Sequence, residues 1–167
     1  YVGGRTDQVL KNIKKGTRRE IVHNAVKMTR EAGIDALVFC VLGFPGETRE
    51  SMRETVSFLK TLPASFITLG IAAPVPGTSH YKHMDEKHLL KHKQWDLYDP
   101  LKKPVYDYPE LSGEEIYDFA AQGLRSFYLR PSYIWDRLCS IRSFGELGIY
   151  ASNFFGFIKR YVLRVPA

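Results

Sequence analysis

The sequence is poor in cysteine, and its C-terminal region has no long uncharged run. Cys40 and Cys139 are the two cysteines, and they lie too far apart to form a metal motif. They therefore predict neither a disulfide framework nor a metal site. The longest uncharged stretch of the C-terminal region, 147–158, is too short to span a bilayer. With no signal-peptide pattern either, we expect a cytoplasmic protein.

The chain also lacks a methionine at its start, which is Tyr1, and shows no internal repeat or low-complexity segment. We expect it to be a fragment of a longer protein. Its 167 residues, with 44% hydrophobic and 25% charged, are sufficient for a domain with its own hydrophobic core.

Acidic residues are scarce in the last quarter of the chain. Seven arginines and lysines stand against two acids between Leu124 and Ala167, a net charge of +5 out of +6 for the whole sequence. A basic, aromatic tail of this kind suits nucleic acid, an anionic membrane or an acidic partner. It equally suits a helical tail that docks on another part of the protein. We expect no nucleic acid and leave a peripheral membrane contact open.

Residues 17–33 carry the pattern of a helix. Thr17 and Glu20 form a predicted capping box, and Gly33 follows as a stop. The apolar residues that recur on one predicted face are Ile21, Ala25, Met28 and Ala32.

Two apolar runs then alternate with a second helix. Residues 34–42 are apolar at nearly every position after Asp35, which predicts a strand covered on both faces in a parallel sheet. Thr48 caps a helix that ends before Pro63, and residues 65–73 form the next strand. Helix, strand, helix and strand in this order predict an α/β fold with parallel strands. Two strands cannot cover both faces of a sheet, so we expect its N-terminal remainder to lie outside this chain.

The rest of the chain predicts a connecting segment and a helical tail. Residues 82–111 read as a short polar helix followed by an irregular excursion. Ser112 and Glu115 form a second predicted capping box, opening a helix that we expect to end at Pro131. The predicted divisions are 1–81 for the α/β core, 82–111 for the connection and 112–167 for the tail.

Both strands end in glycine- and proline-rich turns, "GFPGET" and "APVPGTSHY". Ligands of parallel α/β folds bind at the carboxyl ends of strands, where glycine lets a ligand approach the main chain. The alternative is a pair of ordinary turns, with Glu47 complementing the dipole of the following helix. Spacing alone leaves both interpretations open.

Four segments in order resemble the second half of a radical S-adenosylmethionine enzyme core. They are "VLKNIKKG", "AVKMTREAGI", "LGFPGET" and "PVPGTSHY". The similarity is to the group that often carries an N-terminal cobalamin-binding domain, in which the last motif runs P-x-P-G-T-x-L-Y. It implies half of a partial TIM-like (β/α) barrel, followed by a helical tail. It covers most of the chain.

The resemblance also implies cofactors and a reaction. These enzymes hold a 4Fe–4S cluster on a C-x-x-x-C-x-x-C motif and cleave S-adenosylmethionine to a 5′-deoxyadenosyl radical, which abstracts hydrogen from substrate. That motif is missing here, so the cluster ligands are expected upstream, in the N-terminal half of the same polypeptide. Cobalamin is a further cofactor that the resemblance allows. The implied reactions are methylation, cyclisation or similar changes at unactivated C–H bonds of small-molecule, lipid or tetrapyrrole-like substrates.

Site residues follow from the resemblance alone. It implies that Val41 and Leu42 offer an apolar face near the adenine of S-adenosylmethionine, and that Gly43 and Gly46 allow its close approach. It also implies that Glu47 braces the first turn, and that the backbone around Pro74, Val75 and Pro76 lines the other edge of the adenine. No catalytic residue and no metal ligand is predicted within this chain.

Several other residues admit two interpretations. Four histidines, at positions 80, 83, 88 and 92, suggest a metal site, but the lysines around them favour a solvated face. Tyr98, Tyr106, Tyr108 and Trp95 either line a substrate entrance or anchor a loop over the core. Cys40 is predicted to be a core residue. The alternative to an enzyme is a non-catalytic α/β module whose basic aromatic tail binds a membrane or a partner.

Overall fold

The computed structural model describes residues 2–3, 18–94, 97–141 and 143–162. Within these ranges, three strands, six α-helices and a final π-helical turn follow one another. They are β1 (Val2–Gly3), α1 (Arg19–Glu31), β2 (Leu37–Leu42), α2 (Arg49–Thr61), β3 (Phe66–Ile71), α3 (Ser79–Glu86), α4 (Gly113–Tyr128), α5 (Pro131–Ser140), α6 (Phe144–Phe157) and the turn Ile158–Val162.

The strands form one parallel sheet in the order β1, β2, β3. All six residues of β2 pair with β3, from Leu37 opposite Phe66 to Leu42 opposite Ile71. β1 adds only Val2 opposite Cys40 and Gly3 opposite Val41. The predicted α/β class and parallel strands are confirmed, while the described residues do not form half of a barrel.

One face of the sheet carries the core. Val38, Cys40 and Leu42 of β2 are at most 5% exposed, as are Ile67, Leu69 and Ile71 beside them on β3. Met52, Thr55 and Leu59 of α2 are also fully buried, a face that the spacing of the helix predicts. Cys40 is thus a core residue, as the sequence predicts.

The opposite face of β2 corrects the sequence prediction. Leu37 and Phe39 are about half exposed, at 50% and 48%. Continuous apolarity predicted burial on both faces, but the described residues leave Leu37 and Phe39 on the second face about half uncovered. β2 therefore has more apolar side chains than the described part of the chain buries.

Helix α1 also departs from its predicted start and face. Its N-cap is Arg18, whose side chain makes no capping hydrogen bond. The predicted box of Thr17 and Glu20 involves Thr17, which lies outside the described residues. Val26 is the buried residue of α1, whereas Ile21 and Met28 are exposed. Two apolar stripes run side by side on this helix, and tertiary packing selected the stripe that contains Val26.

The predicted capping of α2 and α4 is confirmed. The Thr48 side chain accepts a hydrogen bond from the Ser51 amide at 3.2 Å, and Ser51 Oγ accepts one from Thr48 N at 3.0 Å. In α4, Ser112 N donates to Glu115 Oε2 at 2.9 Å, and Glu115 N donates to Ser112 Oγ at 3.2 Å. Helix α4 ends at Tyr128, and Pro131 occupies the first turn of α5 rather than only ending α4.

The connecting segment folds back on the core. Lys91 N donates to Val105 O at 2.7 Å and Asp107 N to Leu89 O at 3.2 Å, which pairs its two arms. Between them, Pro100 O accepts a hydrogen bond from Ile71 N at 2.8 Å. The segment thus satisfies part of the free edge of β3 and brings Tyr106 and Tyr108 to the carboxyl end of the sheet.

The chain divides into two compact units, 1–120 and 121–167. In the second, aromatic rings from three helices meet at Tyr128, whose ring centroid lies 5.3 Å from that of Tyr133 and 5.1 Å from that of Phe157. None of the described helices has the length and apolarity needed to cross a membrane.

Candidate functional site

The turns that follow β2 and β3 lie next to each other. Leu42 and Ile71, the last residues of the two parallel strands, are paired, and Ala72 N donates to Leu42 O at 2.8 Å. The prediction that both turns begin at one end of a single parallel sheet is therefore confirmed. This is the edge at which parallel α/β proteins bind ligands.

Glu47 braces the first turn from inside. Its side chain is 7% exposed, and Oε2 accepts hydrogen bonds from Gly43 N at 2.5 Å and Phe44 N at 3.1 Å. Two amides that β2 leaves unpaired at its end are satisfied in this way. Glu47 therefore fixes the turn, the role that the resemblance implies for it.

Two tyrosines close the same turn from the connecting segment. Tyr106 and Tyr108 both donate a hydrogen bond from their hydroxyl groups to Gly43 O at 2.9 Å. Gly43 has φ of 85°, and a Cβ built on it would lie 2.7 Å from Tyr106 Oη and 3.2 Å from Ile116 Cγ2. The space beside Gly43 is thus filled by the protein itself. Gly43, Phe44, Glu47, His80, Tyr106 and Tyr108 are called the Gly43 corner below.

Burial controls the ionisation of the Gly43 corner. Loss of solvent raises the pKa of Glu47 from 4.5 to about 7, although the amides of Phe44 and Gly43 oppose the change. Burial, and next the charge of Glu47, raises the pKa of Tyr106. Glu47 Oε1 is buried and has no hydrogen-bond partner among the described residues. Its carboxyl group is consequently poised between its neutral and charged forms near neutral pH.

His80, also in the Gly43 corner, does not lie on the solvated face that the sequence predicted for it. It is half-buried rather than solvated, and its ring centroid lies 6.0 Å from that of Tyr106 and 6.2 Å from that of Phe44. Burial, and next the charge of His83, lowers the pKa of His80 to about 4. Its Nε2 atom is buried without a partner in the part of the chain described. The signal was in the sequence, because His80 stands where the P-x-P-G-T-x-L-Y pattern has leucine.

The implied cofactor-binding residues differ in their accessibility. Leu42 is fully buried on the side of the sheet that carries the core, and Pro74 is buried as well. Val41 and Pro76 are partly exposed and Val75 is 51% exposed. Gly46 has φ of 83° and open space beside it. This placement favours Val41, Gly46, Val75 and Pro76 as residues that a ligand could contact.

Gly43 is engaged within the protein instead. Its amide is bound by Glu47 and its carbonyl by the two tyrosines. Of the two interpretations of the aromatic residues, Tyr106 and Tyr108 act as anchors of the connecting segment. Tyr98 donates locally to His92 O at 3.1 Å, and Trp95 lies outside the described residues.

The described residues do not fit a 4Fe–4S cluster. Cys40 is buried in the core and Cys139 is exposed in the other unit. No group of three or more metal-ligating side chains occurs within the described ranges. A cluster needs several thiolates at one place, so this part of the chain offers no set of ligands for it.

Comparison with known proteins gives partial relatives. The chain is 32% identical over 127 residues to an uncharacterized methyltransferase of Pyrococcus horikoshii, covering 76% of this chain and 28% of the relative. It is 34% identical over 83 residues to the tRNA-2-methylthio-N(6)-dimethylallyladenosine synthase of Thermus thermophilus, covering 48% and 18%. A putative methylthiotransferase of Methanocaldococcus jannaschii is 30% identical over 73 residues, covering 44% and 16%. No family model matches.

The chain thus spans less than a third of the length of each of these relatives. Their names, methyltransferase and methylthiotransferase, support a relationship to radical S-adenosylmethionine enzymes at the level of the family. They do not single out the cobalamin-associated group.

Proposed function

We propose that the chain is the C-terminal part of a radical S-adenosylmethionine enzyme that transfers a methyl or methylthio group to an unactivated carbon. The observation that carries the proposal is the similarity to a methyltransferase over about three quarters of the chain, and to methylthiotransferases over less than half of it. The paired turns at the carboxyl ends of β2 and β3 support it. The proposed substrate is a small molecule, a lipid or a tetrapyrrole-like compound.

The chain's own residues would shape the nucleoside end of the S-adenosylmethionine site. Val41 offers an apolar contact from the sheet, and the turn residues Val75 and Pro76 offer exposed edges after β3, at the same end of the sheet. Gly46 leaves room at the first turn. The Gly43 corner supports this site from behind the turn. Its hydrogen bonds fix the turn and do not leave Gly43 free for a ligand.

When bound, S-adenosylmethionine supplies a reactive carbon radical after reduction by the cluster. Among the described residues, no three metal-ligating side chains come together that could hold that cluster. The N-terminal half of the same polypeptide is its proposed source, and cobalamin is a proposed further cofactor. The proposed location is the cytoplasm.

Binding of radiolabelled S-adenosylmethionine tests the site. The protein to use is the longer polypeptide containing this chain, prepared anaerobically and measured by equilibrium dialysis. Val75→Glu places a charge at an exposed edge of the second turn, and we expect binding to weaken about tenfold or more because the apolar contact becomes a buried charge. Formation of 5′-deoxyadenosine on reduction is the accompanying measurement of activity.

Ile34→Glu is the matched control. Ile34 is 59% exposed, similar to the 51% of Val75, but it precedes β2 and so lies toward the opposite end of the strands. We expect the control to bind S-adenosylmethionine like the parent. If Val75→Glu binds S-adenosylmethionine as tightly as the parent, the proposed site is wrong. If the parent forms no 5′-deoxyadenosine, the proposed reaction class is wrong.

A further inference from the structure

Helix α5 exposes an apolar stripe. Ile134, Trp135 and Leu138 lie on one side of the helix, and their exposed fractions are 36%, 71% and 54%. The opposite side holds Tyr133, which packs in the aromatic cluster, and the buried Arg137. The stripe is therefore presented outward by a helix whose other side is occupied.

Helix α6 is apolar around most of its circumference and is exposed along its length. Glu146 is the one charged residue in the sequence of this helix. Tyr150 and Phe157 are half-buried, whereas Ile149 and Phe155 remain 64% and 72% exposed. A helix with so large an apolar face normally packs against other protein or against lipid.

The exposed residues are held in place by packing within this unit. The Tyr128 ring of α4 contacts Tyr133 of α5 and Phe157 of α6, and Phe157 continues to Tyr161 with ring centroids 5.2 Å apart. The outward residues of α5 and α6 together are called the tail apolar surface. They are Ile134, Trp135, Leu138, Leu147, Phe154 and Phe155.

Charge distinguishes among the surfaces that could cover these residues. The sequence 121–167 has seven basic and two acidic residues, and the exposed Lys159 lies in the π-helical turn after α6. Basic residues bordering exposed Trp and Phe are typical of helices that lie in the interface of a membrane rich in anionic lipid. At 14 residues, α6 is too short to span the bilayer.

We propose that the tail apolar surface binds the surface of an anionic lipid bilayer, with α5 and α6 lying in the interface and the exposed Lys159 contacting the headgroups. Trp135 would enter the interface, where its amphipathic ring is favoured. This inference stands apart from the proposed enzymatic reaction, because it depends only on residues 121–167.

Co-sedimentation of the full chain with vesicles tests the proposal. We expect binding to phosphatidylglycerol/phosphatidylcholine vesicles at low salt, and much weaker binding to pure phosphatidylcholine vesicles or at high salt. Trp135→Gln with Phe155→Gln should lower partitioning by about tenfold or more, because two exposed apolar contacts are lost. Lys159→Gln should lower it about fivefold on anionic vesicles only.

A fluorescence readout reports on Trp135 directly. The chain has two tryptophans, so Trp95→Phe leaves Trp135 as the single reporter. Its emission should shift to shorter wavelength on addition of anionic vesicles. Met28→Gln is the matched control, because Met28 is 69% exposed but belongs to the other unit, and it should bind like the parent.

Two results would overturn the proposal. One is failure to bind anionic vesicles at low salt. The other is self-association of the lipid-free chain in sedimentation velocity that Trp135→Gln with Phe155→Gln abolishes, since the surface would then be covered by a second copy. Circular dichroism of each variant establishes that the helices are retained.

Discussion

The hydroxyl group of Tyr106 occupies the space that a side chain on Gly43 would require. Its oxygen lies 2.9 Å from Gly43 O and would lie 2.7 Å from a Cβ at that position. A segment 63 residues further along the chain is thereby fixed to the end of β2. The glycine that looks like an opening for a ligand is a docking point for the protein's own connecting segment.

Gly43→Ala should destabilise the fold strongly. Its φ of 85° strains any L-residue by about 1–2 kcal/mol, and displacing Tyr106 and Ile116 adds about 1–3 kcal/mol. We expect a loss of about 2–5 kcal/mol in the free energy of unfolding, measured with urea. Gly46→Ala is the control, because φ is 83° but the space is open, and it should lose only the backbone contribution. Equal losses for the two variants would contradict the steric role of Tyr106.

The two tyrosine hydroxyls should prove strongly coupled. Tyr106→Phe and Tyr108→Phe should each cost about 1 kcal/mol, because Gly43 O keeps one donor in either variant. The double variant should cost more than the sum, because the buried carbonyl then loses both. Tyr98→Phe, which removes a solvent-exposed hydrogen bond to His92 O, should change stability by less than about 0.5 kcal/mol. A strictly additive double variant would contradict sharing of one acceptor.

Glu47 and His80 should oppose each other in the pH dependence of stability. The pKa of Glu47 is raised from 4.5 to about 7, so the folded state holds the extra proton and stability falls as pH rises through this window. The pKa of His80 is lowered from 6.5 to about 4, so the unfolded state holds the extra proton and stability rises between those values.

Single variants separate the two groups. In His80→Leu the fall in stability with rising pH that comes from Glu47 remains. The free energy of unfolding should drop by at most roughly 3 kcal/mol between pH 4.5 and 7. In Glu47→Gln the rise in stability with rising pH that comes from His80 remains. Urea unfolding of parent and variants across this range gives the differences, in which the other titrating groups cancel. Parallel pH profiles for both variants would exclude the opposing pair.

The chain by itself should not assemble a 4Fe–4S cluster. Its two cysteines, one buried in the core, cannot supply the several thiolates that such a cluster needs. Anaerobic reconstitution with iron and sulfide, followed by iron analysis and absorption spectroscopy, should therefore give no stoichiometric cluster. Cys40→Ala and Cys139→Ala should change nothing in this assay, and a cluster lost in either variant would show that the chain supplies ligands after all.

The local sequence determined the elements and their order. Apolar runs bounded by glycine and proline gave β2 and β3, and Thr48 and Ser112 began α2 and α4 through capping that depends on residues three positions apart. The adjacency of the two turns also followed from sequence, because consecutive strands joined by one helix pair in parallel. Such features depend on interactions among neighbours in the chain.

Tertiary structure decided which surfaces are covered and what occupies the turn. Nothing in the spacing of α1 distinguishes the buried Val26 from the exposed Ile21 and Met28. The closure of Gly43 by Tyr106 and Tyr108 joins residues 63 and 65 positions apart, beyond the range of any helical or strand period. The ring of His80 likewise lies near that of Tyr106, 26 positions further along the chain, and burial lowers the pKa of His80.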